Sequence, residues 1–396
     1  MEFRQIGAAE RTTTMFPLVA YAFKPSPWAP EDEAAYAERM RFYETTVSLI
    51  AEEDGQTLAG VAALRMRQNV RGVVHDMAGV ASVATHPAAR RRGLVRELLP
   101  RLLRQMRAEG CAVSALYPFR PSFYARFGFV GIPAHRTAVF APQGLSHLVR
   151  ADLPGEVERL PLSEGWAAYD SAIQRRLAGR HGFSVFDEVR AAEFRELKSW
   201  VAVARAGGEV VGAVRYRIDA HGGELVAQDL HCSGPLGRAL LLQFFARHVD
   251  QVARVSVRHD PADVPELWGT DLEVTSKTRV DNPTHNAPMV RVLDVAALSG
   301  MPAGPGEVTV EIVDDELIGG VWHLASDGGT LTVTKGTKGT KSTSPSVRLT
   351  AAGFSALVYG VLDPVEVFTR GLGELTEVDT LAAMFPREMP YLFADF

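Results

Sequence analysis

The sequence predicts an α/β (α+β) protein of three successive units, and three observations predict it. Short apolar runs of strand type bracket an amphipathic helical stretch at 94–106, giving a strand–helix–strand crossover. The same order recurs in weaker form about 150 residues later, as a duplicated unit would. Past Pro288 the composition shifts to a third set of strand-like and helical runs. At 396 residues and 46% hydrophobic content, the chain is too long for one ordinary core and long enough for two or three.

Each element has its own signal. Residues 47–64 form two apolar runs around an acidic, glycine-containing turn, which predicts a β-hairpin. A run of apolar and small residues at 77–85 predicts the next strand. Leu94, Val95, Leu98, Leu99, Leu102, Leu103 and Met106 then share one helical face, while Arg96, Arg101, Arg104 and Arg107 take the other. Pro100 lies inside that helix and is expected to cost it a hydrogen bond and kink it. After Gly110, the run 112–117 predicts a second buried strand. In the weaker copy, residues 202–216 around Gly207 and Gly208 read as a hairpin, 224–231 as a strand and 236–249 as a helix. Cys232-Ser233-Gly234-Pro235 stands there in place of the first copy's arginines, so this copy keeps the architecture and loses the basic turn. In the third unit, 308–313 and 331–334 are strand-like and 351–362 helical, an α+β pattern. The Lys, Gly, Thr and Ser repeat of 335–344 buries too little to order itself and is expected to be a mobile loop. These readings place the units at 1–150, 151–287 and 288–396.

Composition excludes several classes. No apolar stretch approaches a bilayer span and the first residues lack an apolar signal core, so a soluble, cytoplasmic protein without membrane contact is expected. Cys111 and Cys232 lie far apart and form no CxxC pair, which suggests neither a disulfide framework nor a cysteine-rich zinc site. A net charge of −5 argues against nucleic acid as a main partner and is compatible with cationic amines, although net charge alone says little about a site.

The chemistry concentrates at Arg90-Arg91-Arg92-Gly93, between the strand ending at Thr85 and the helix beginning at Leu94. A basic turn feeding a helix N-terminus offers unpaired N–H groups and the positive helix end, which together bind a pyrophosphate. Gly93 lets backbone approach phosphate closely. By spacing alone, three arginines fit a solvated loop as well.

Here the residues match a family. The segment Arg90 to Val95 resembles the R/Q-x-x-G-x-G/A acetyl-CoA pyrophosphate loop of GNAT acyltransferases, with Val95 in place of the final small residue. Met77-Ala78-Gly79-Val80 through Gly93, Ala115-Leu116-Tyr117-Pro118-Phe119 and Phe123-Tyr124-Ala125-Arg126-Phe127-Gly128-Phe129 are together similar to the Eis (enhanced intracellular survival) acetyltransferases. That resemblance covers essentially the whole chain. It implies an N-terminal catalytic GNAT domain, a degenerate second GNAT domain, and a sterol carrier protein-like α+β domain that supplies the C-terminal carboxylate.

The resemblance also implies site residues. Val83, Ala84 and Thr85 would hold the pantetheine and acetyl group through backbone, and Arg91, Arg92, Gly93, Leu94, Val95 and Arg96 would hold the pyrophosphate. Phe119 and Arg120 stand where some members have a Ser-Glu pair near the pantetheine, which puts side-chain contacts there in doubt. Tyr124 matches the tyrosine that protonates the departing CoA sulfur, a task suited to a group protonated at neutral pH. The Phe396 carboxylate is implied as the base, with Asp395 beside the substrate amine. The apolar, aromatic ending 390–396 is one that packs rather than frays, although Phe396 would pack equally as a simple anchor. Trp28 occupies a region where the family's aromatic and acidic residues line a pocket for cationic substrates. Glu31, Asp32 and Glu33 beside it also fit an exposed helix start, because carboxylates favour first turns. His86 fits a solvated loop histidine better than a catalytic one.

The activity implied is direct transfer from acetyl-CoA to a primary amine of a small polycation, aminoglycoside- or polyamine-like, or of a lysine side chain. No metal is needed, and the assembly implied is a homohexamer. A different acyl donor, such as propionyl-CoA, is one alternative. Another is a lipid- or small-molecule-binding protein using its third unit, with a vestigial GNAT part.

Overall fold

A computed structural model describes residues 1–281, 283–336 and 346–396. Apart from Lys335 and Gly336, the segment expected as a mobile loop lies outside these residues.

The first unit runs β1 (Glu2–Ile6), α1 (Arg11–Phe23), α2 (Pro30–Glu38), β2 (Val47–Glu53), β3 (Gln56–Val70), β4 (Val73–Thr85), α3 (Leu94–Ala108), β5 (Val113–Leu116), α4 (Pro121–Ala125) and β6 (Val130–Gly131). The acidic turn joins β2 to β3 with Asp54 and Gly55 both at positive φ, 52° and 75°, the conformation that tight hairpins require. Strands β1 to β4 form an antiparallel meander, and β5 then pairs parallel to β4, as the intervening helix demands. Helix α3 buries Leu94, Leu98, Leu99, Leu102, Leu103 and Met106 against one face of this sheet and includes Pro100 within its span. Helix α1 covers the other face, where Met15 packs with Ile6 and Ile50.

The second unit follows as β7 (Arg136–Phe140), α5 (Ser146–Val149), β8 (Glu156–Pro161), α6 (Leu162–Gly179), β9 (Ser184–Phe186), α7 (Glu188–Arg195), β10 (Trp200–Ala206), β11 (Glu209–Ile218), β12 (Glu224–Ala227), β13 (His231–Cys232), α8 (Pro235–Ala246), β14 (Arg254–His259) and β15 (Val274–Lys277). Its sheet runs β15-β7-β14-β12-β11-β10-β8, with β13 also on β11. The parallel pair of β12 with β14 repeats that of β4 with β5, and the β10–β11 hairpin turns at Gly207 and Gly208.

The third unit comprises β16 (Met289–Val292), β17 (Pro305–Val313), β18 (Gly320–Asp327), β19 (Thr332–Lys335), β20 (Ser346–Thr350), α9 (Ala351–Val358), α10 (Pro364–Thr369) and α11 (Val378–Met384). Strands β17 to β20 form a small sheet of their own in the order β19-β18-β17-β20. Every residue of α9 is buried, and the Ser355 hydroxyl accepts a 3.0 Å hydrogen bond from the Val292 N–H, tying the small sheet's helix to β16.

The sheets exchange strands across the chain. β7, which precedes residue 150, pairs with β14 and β15 in the second sheet, while β9 pairs with β3 of the first. β16 crosses back to lie antiparallel to β5, covering the edge that β5 would otherwise leave open.

Candidate active site

The first sheet opens between β4 and β5. These strands pair only from Met77 to Val80 against Val113 to Leu116. Beyond Val80, the β3–β4 register slips at a bulge: Ala62 faces Ala81, but Gly60 faces Ala84, and Ser82 takes a φ of 52°. Such a bulge bends its strand and ends regular pairing. Residues 81–85, which include the predicted Val83, Ala84 and Thr85, therefore run on with no strand partner on the β5 side among the described residues, and β5 ends at Leu116.

The basic turn lies at the end of this strand. Arg91 is held at φ 66° and Gly93, the residue preceding α3, at φ 81°. A Cβ on Gly93 would meet nothing within 4 Å, so the glycine serves backbone conformation and close approach rather than packing. No side chain caps α3, and the N–H groups of Leu94, Val95 and Arg96 have no partner among the described residues. Arg92 forks onto Glu53 at 2.9 and 3.1 Å, whereas Arg91 and Arg96 are exposed with no ion pair among the described residues.

Tyr124 approaches the opening from the α3 face. It is 2% exposed, packs in the cluster containing Ala78, Val80 and Leu116, and is ringed by Phe123, Phe119 and Phe129 at 5.1, 5.4 and 6.3 Å. Burial pushes its pKa well above that of an ordinary phenol, so it keeps its proton. Among the described residues its hydroxyl makes no hydrogen bond. Phe119 packs tilted against Phe123 while 42% exposed, and Arg120 is an exposed residue at the start of α4.

The end of the chain approaches from the opposite face. Alternation along β4 turns Gly79 away from Tyr124, and a Cβ there would come within 2.5 Å of Met66 Sδ and 3.1 Å of the Phe396 ring. Tyr117 and Phe186 flank that ring at 5.5 and 6.3 Å. The preceding residues are tied down one by one. The Tyr391 N–H donates to the His181 carbonyl at 3.0 Å, its hydroxyl donates to Asp229, and the Phe393 ring stacks on Phe183 at 4.7 Å. Arg258 donates to the Phe393 carbonyl and to Asp229, both at 2.9 Å, and also to Asp395. Tyr117 donates to Asp395 at 3.1 Å and to the Ala394 carbonyl at 3.2 Å. Burial alone would raise the Asp229 pKa, but Arg258 foremost brings it below the ordinary value, so the pair stays ionic.

Arg258 and Asp229 sit where the second sheet opens between β12 and β14, after Ala227 and Val257, at a bulge that repeats the one in the first. The tail thus fills the second opening on its way to the first.

Trp28 lies beside the end of β4. It packs edge-on against Phe16 at 5.7 Å and lines a cavity of about 510 Å³ with Thr85 and His86. Glu31, Asp32 and Glu33 form the exposed first turn of α2, where Asp32 accepts from the Ala29 N–H and pairs with Lys24. A larger cavity of about 910 Å³ lies between the first two units, walled by Phe186, Trp166, Tyr169 and the tail at Phe393 to Asp395. Sequence reasoning missed Tyr117, Asp229, Arg258 and Tyr391. Tyr117 sat within a matched run, but nothing near Asp229 or Arg258 signals that they meet a segment more than a hundred residues away.

Comparison with known proteins follows this geometry. The profile of the Acetyltransferase (GNAT) domain matches residues 2–131. An uncharacterized N-acetyltransferase of Streptomyces coelicolor is 30% identical over 304 residues, covering 70% of this chain and 71% of that one. The chain belongs to the GNAT N-acetyltransferases. A second uncharacterized N-acetyltransferase, from Streptomyces avermitilis, is 27% identical over 310 residues, covering 69% of this chain and 71% of the relative. Among solved structures, Eis1 from Mycobacterium abscessus matches with a TM-score of 0.75 at 18% identity, covering 100% of both chains. A GCN5-related N-acetyltransferase from Anabaena variabilis matches with 0.80 at 17% identity, again over 100% of both. The architecture is therefore Eis-like: two GNAT-type sheets and a small C-terminal sheet. GNAT enzymes use acetyl-CoA, and the opening, bulge and basic turn of the first sheet are parts suited to it. Among the described residues no helix is long and apolar enough to cross a membrane, and no His, Cys, Asp or Glu cluster suits a metal ion.

Proposed function

We propose that this GNAT enzyme acetylates a primary amine by direct attack on acetyl-CoA in a ternary complex, at the opening between β4 and β5. One observation carries the reading: Tyr124 packs in the cluster of Ala78, Val80 and Leu116 on one face of the first sheet, the Phe396 ring lies over Gly79 on the other, and the β4–β5 pairing ends at Val80 and Leu116. A thioester threaded through the opening has its sulfur on the Tyr124 side and its carbonyl carbon open to an amine on the tail side. The pyrophosphate rests on the N–H groups at the start of α3 with Arg91 and Arg96, and residues 83–85 hold the pantetheine and acetyl group. The amine attacks, the Phe396 carboxylate takes a proton from the ammonium of the tetrahedral intermediate, and the C–S bond breaks. Burial makes Tyr124 a weak acid, so it hydrogen-bonds the sulfur and gives up its proton only as thiolate charge develops.

The acceptor enters through the cavity of about 910 Å³, whose wall includes Asp395. Aminoglycoside-like amines, polyamines and lysine side chains are the substrate classes of this proposal. The cavity presents five carboxylates and five guanidinium groups, so its aromatic walls select by fit more than by net charge. A homohexamer is part of the same proposal, read by light scattering. The test of function is CoA release across a panel of amines; a flat response to every amine would sink the proposal. Tyr124→Phe is expected to lower kcat about a hundredfold with the KM for acetyl-CoA little changed. Adding a few residues after Phe396 is expected to abolish turnover while CoA still raises the melting temperature.

A further inference from the structure

Arg11 is the first residue of α1 and is 1% exposed, among the most completely buried large side chains described. A cation in the first turn of a helix opposes the helix dipole, and a buried cation without a carboxylate costs several kcal/mol by order of magnitude. Arg11 bears both costs. Among the described residues no carboxylate lies within ion-pair distance of it, and its Nε has no hydrogen-bond partner. The buried Tyr36 hydroxyl lies beside the guanidinium without meeting hydrogen-bond geometry, and as a neutral phenol it supplies no counter-charge. Tyr43 offers its ring face at 4.8 Å, but Arg190 occupies the same ring at 4.5 Å, adding a second positive charge that is itself paired with Glu193.

The guanidinium is aimed along the sheet face that carries Phe396. Its two terminal nitrogens donate to the hydroxyls of Ser48 on β2 and Ser82 on β4, the latter at 3.5 Å. Ser82 is the residue at φ 52° in the β4 bulge, next to Val83. A positive charge with no ion pair among the described residues thus lies against the β4 bulge, the stretch that holds the acetyl group in the proposed reaction.

We propose that Arg11 stabilises the oxyanion formed when the amine attacks acetyl-CoA, acting through the Ser82 bulge. It is a positioning and electrostatic residue and does not touch the reacting atoms. The inference rests on the acetyltransferase reading of the same opening. As the N–C bond forms, the carbonyl π pair moves onto oxygen; as the C=O bond re-forms, the C–S pair leaves with sulfur, which takes the Tyr124 proton. The Arg11 charge favours the first step because negative charge appears on oxygen only there. Its missing counter-charge is supplied transiently by the reaction.

Arg11→Met and Arg11→Lys test this, assayed for CoA release with an amine, for amine-free acetyl-CoA hydrolysis and for melting temperature. Arg11→Met removes a buried charge, so its melting temperature is expected to equal or exceed that of the wild type. Both its aminolysis and its hydrolysis kcat should fall about tenfold or more, with the KM for acetyl-CoA within about twofold, and Arg11→Lys should recover much of the rate. An Arg11→Met enzyme of unchanged kcat would overturn the proposal. So would one that loses stability and rate together with no recovery by lysine, because the residue is then a structural clamp. A wild-type protein that binds acetyl-CoA yet releases CoA with neither amine nor water fails at the earlier step: the acetyltransferase reading falls, and this proposal with it.

Discussion

Gly79 shows how single residues set this site. It needs no unusual φ, yet any side chain there would strike Met66 and the Phe396 ring. Gly79→Ala is expected to cost about 1–3 kcal/mol of packing strain and to lower kcat more than it lowers melting temperature, because the displaced group is the tail. Arg258 poses the converse case. Arg258→Met leaves Asp229 buried without its cation, and a loss of about 3–5 kcal/mol is expected by chemical denaturation. Gly79 stood within a matched run, but neither its contact with Phe396 nor the role of Arg258 was legible in the sequence, since each acts on a partner far away along the chain. Tyr124 was legible because its neighbours Phe123, Phe127 and Phe129 are local and their spacing is a family pattern. Two histidines beside the tail add a pH dependence. Burial pushes His231 down to about 3 and His181 to about 4. Both are neutral when folded but protonate near pH 6.5 when unfolded, so stability is full above about 6.5 and falls as pH drops toward 4. Melting temperature measured from pH 7.5 to 4.5 should decline. His231→Phe, which removes two unpartnered buried nitrogens, should flatten the decline; an unchanged slope would count against this account.

The elements that periodicity predicts are those whose contacts are local. The β2–β3 and β10–β11 hairpins, α3 and α8 all stand close to their expected positions, because turn glycines and a 3.6-residue apolar repeat act within a few residues. The 224–231 run was less simple: pairing stops at Ala227 and resumes at His231, since this strand too must bulge. Short strands such as β6, β9 and β16 gave no usable signal, because their pairing partners lie in other parts of the chain. The basic turn belongs to this scale as well. Gly93→Ala meets no steric obstacle and strains only φ, by about 1 kcal/mol, so the fold should survive while the KM for acetyl-CoA rises several-fold. An unaltered KM would indicate that the start of α3 does not hold the pyrophosphate.

Across the whole molecule, the three units cannot be separated by cutting between them. The first sheet takes β16 from the third unit and β9 from the second, and the tail crosses the second unit to reach the first. A chain ending at residue 287 lacks β16 and the tail, so it is expected to be insoluble or to melt without a cooperative transition, as read by calorimetry. The second copy, which lacks the arginine turn, is bound into the site of the first. Its opening holds Tyr391, Phe393 and Asp395 through Asp229 and Arg258 and serves as a socket for the tail.

The return of β16 to the edge of β5 also has a meaning in time. Between Leu116 and its partner Met289 lie about 170 residues, and a ribosome adding roughly 5–20 residues per second needs on the order of ten to thirty-five seconds to make them. Throughout that interval the nascent first unit presents a bare, apolar strand edge with nothing of its own to cover it. Its most vulnerable moment is therefore during synthesis, when a holdase or slow crowding of neighbouring chains decides how much of it reaches the native state.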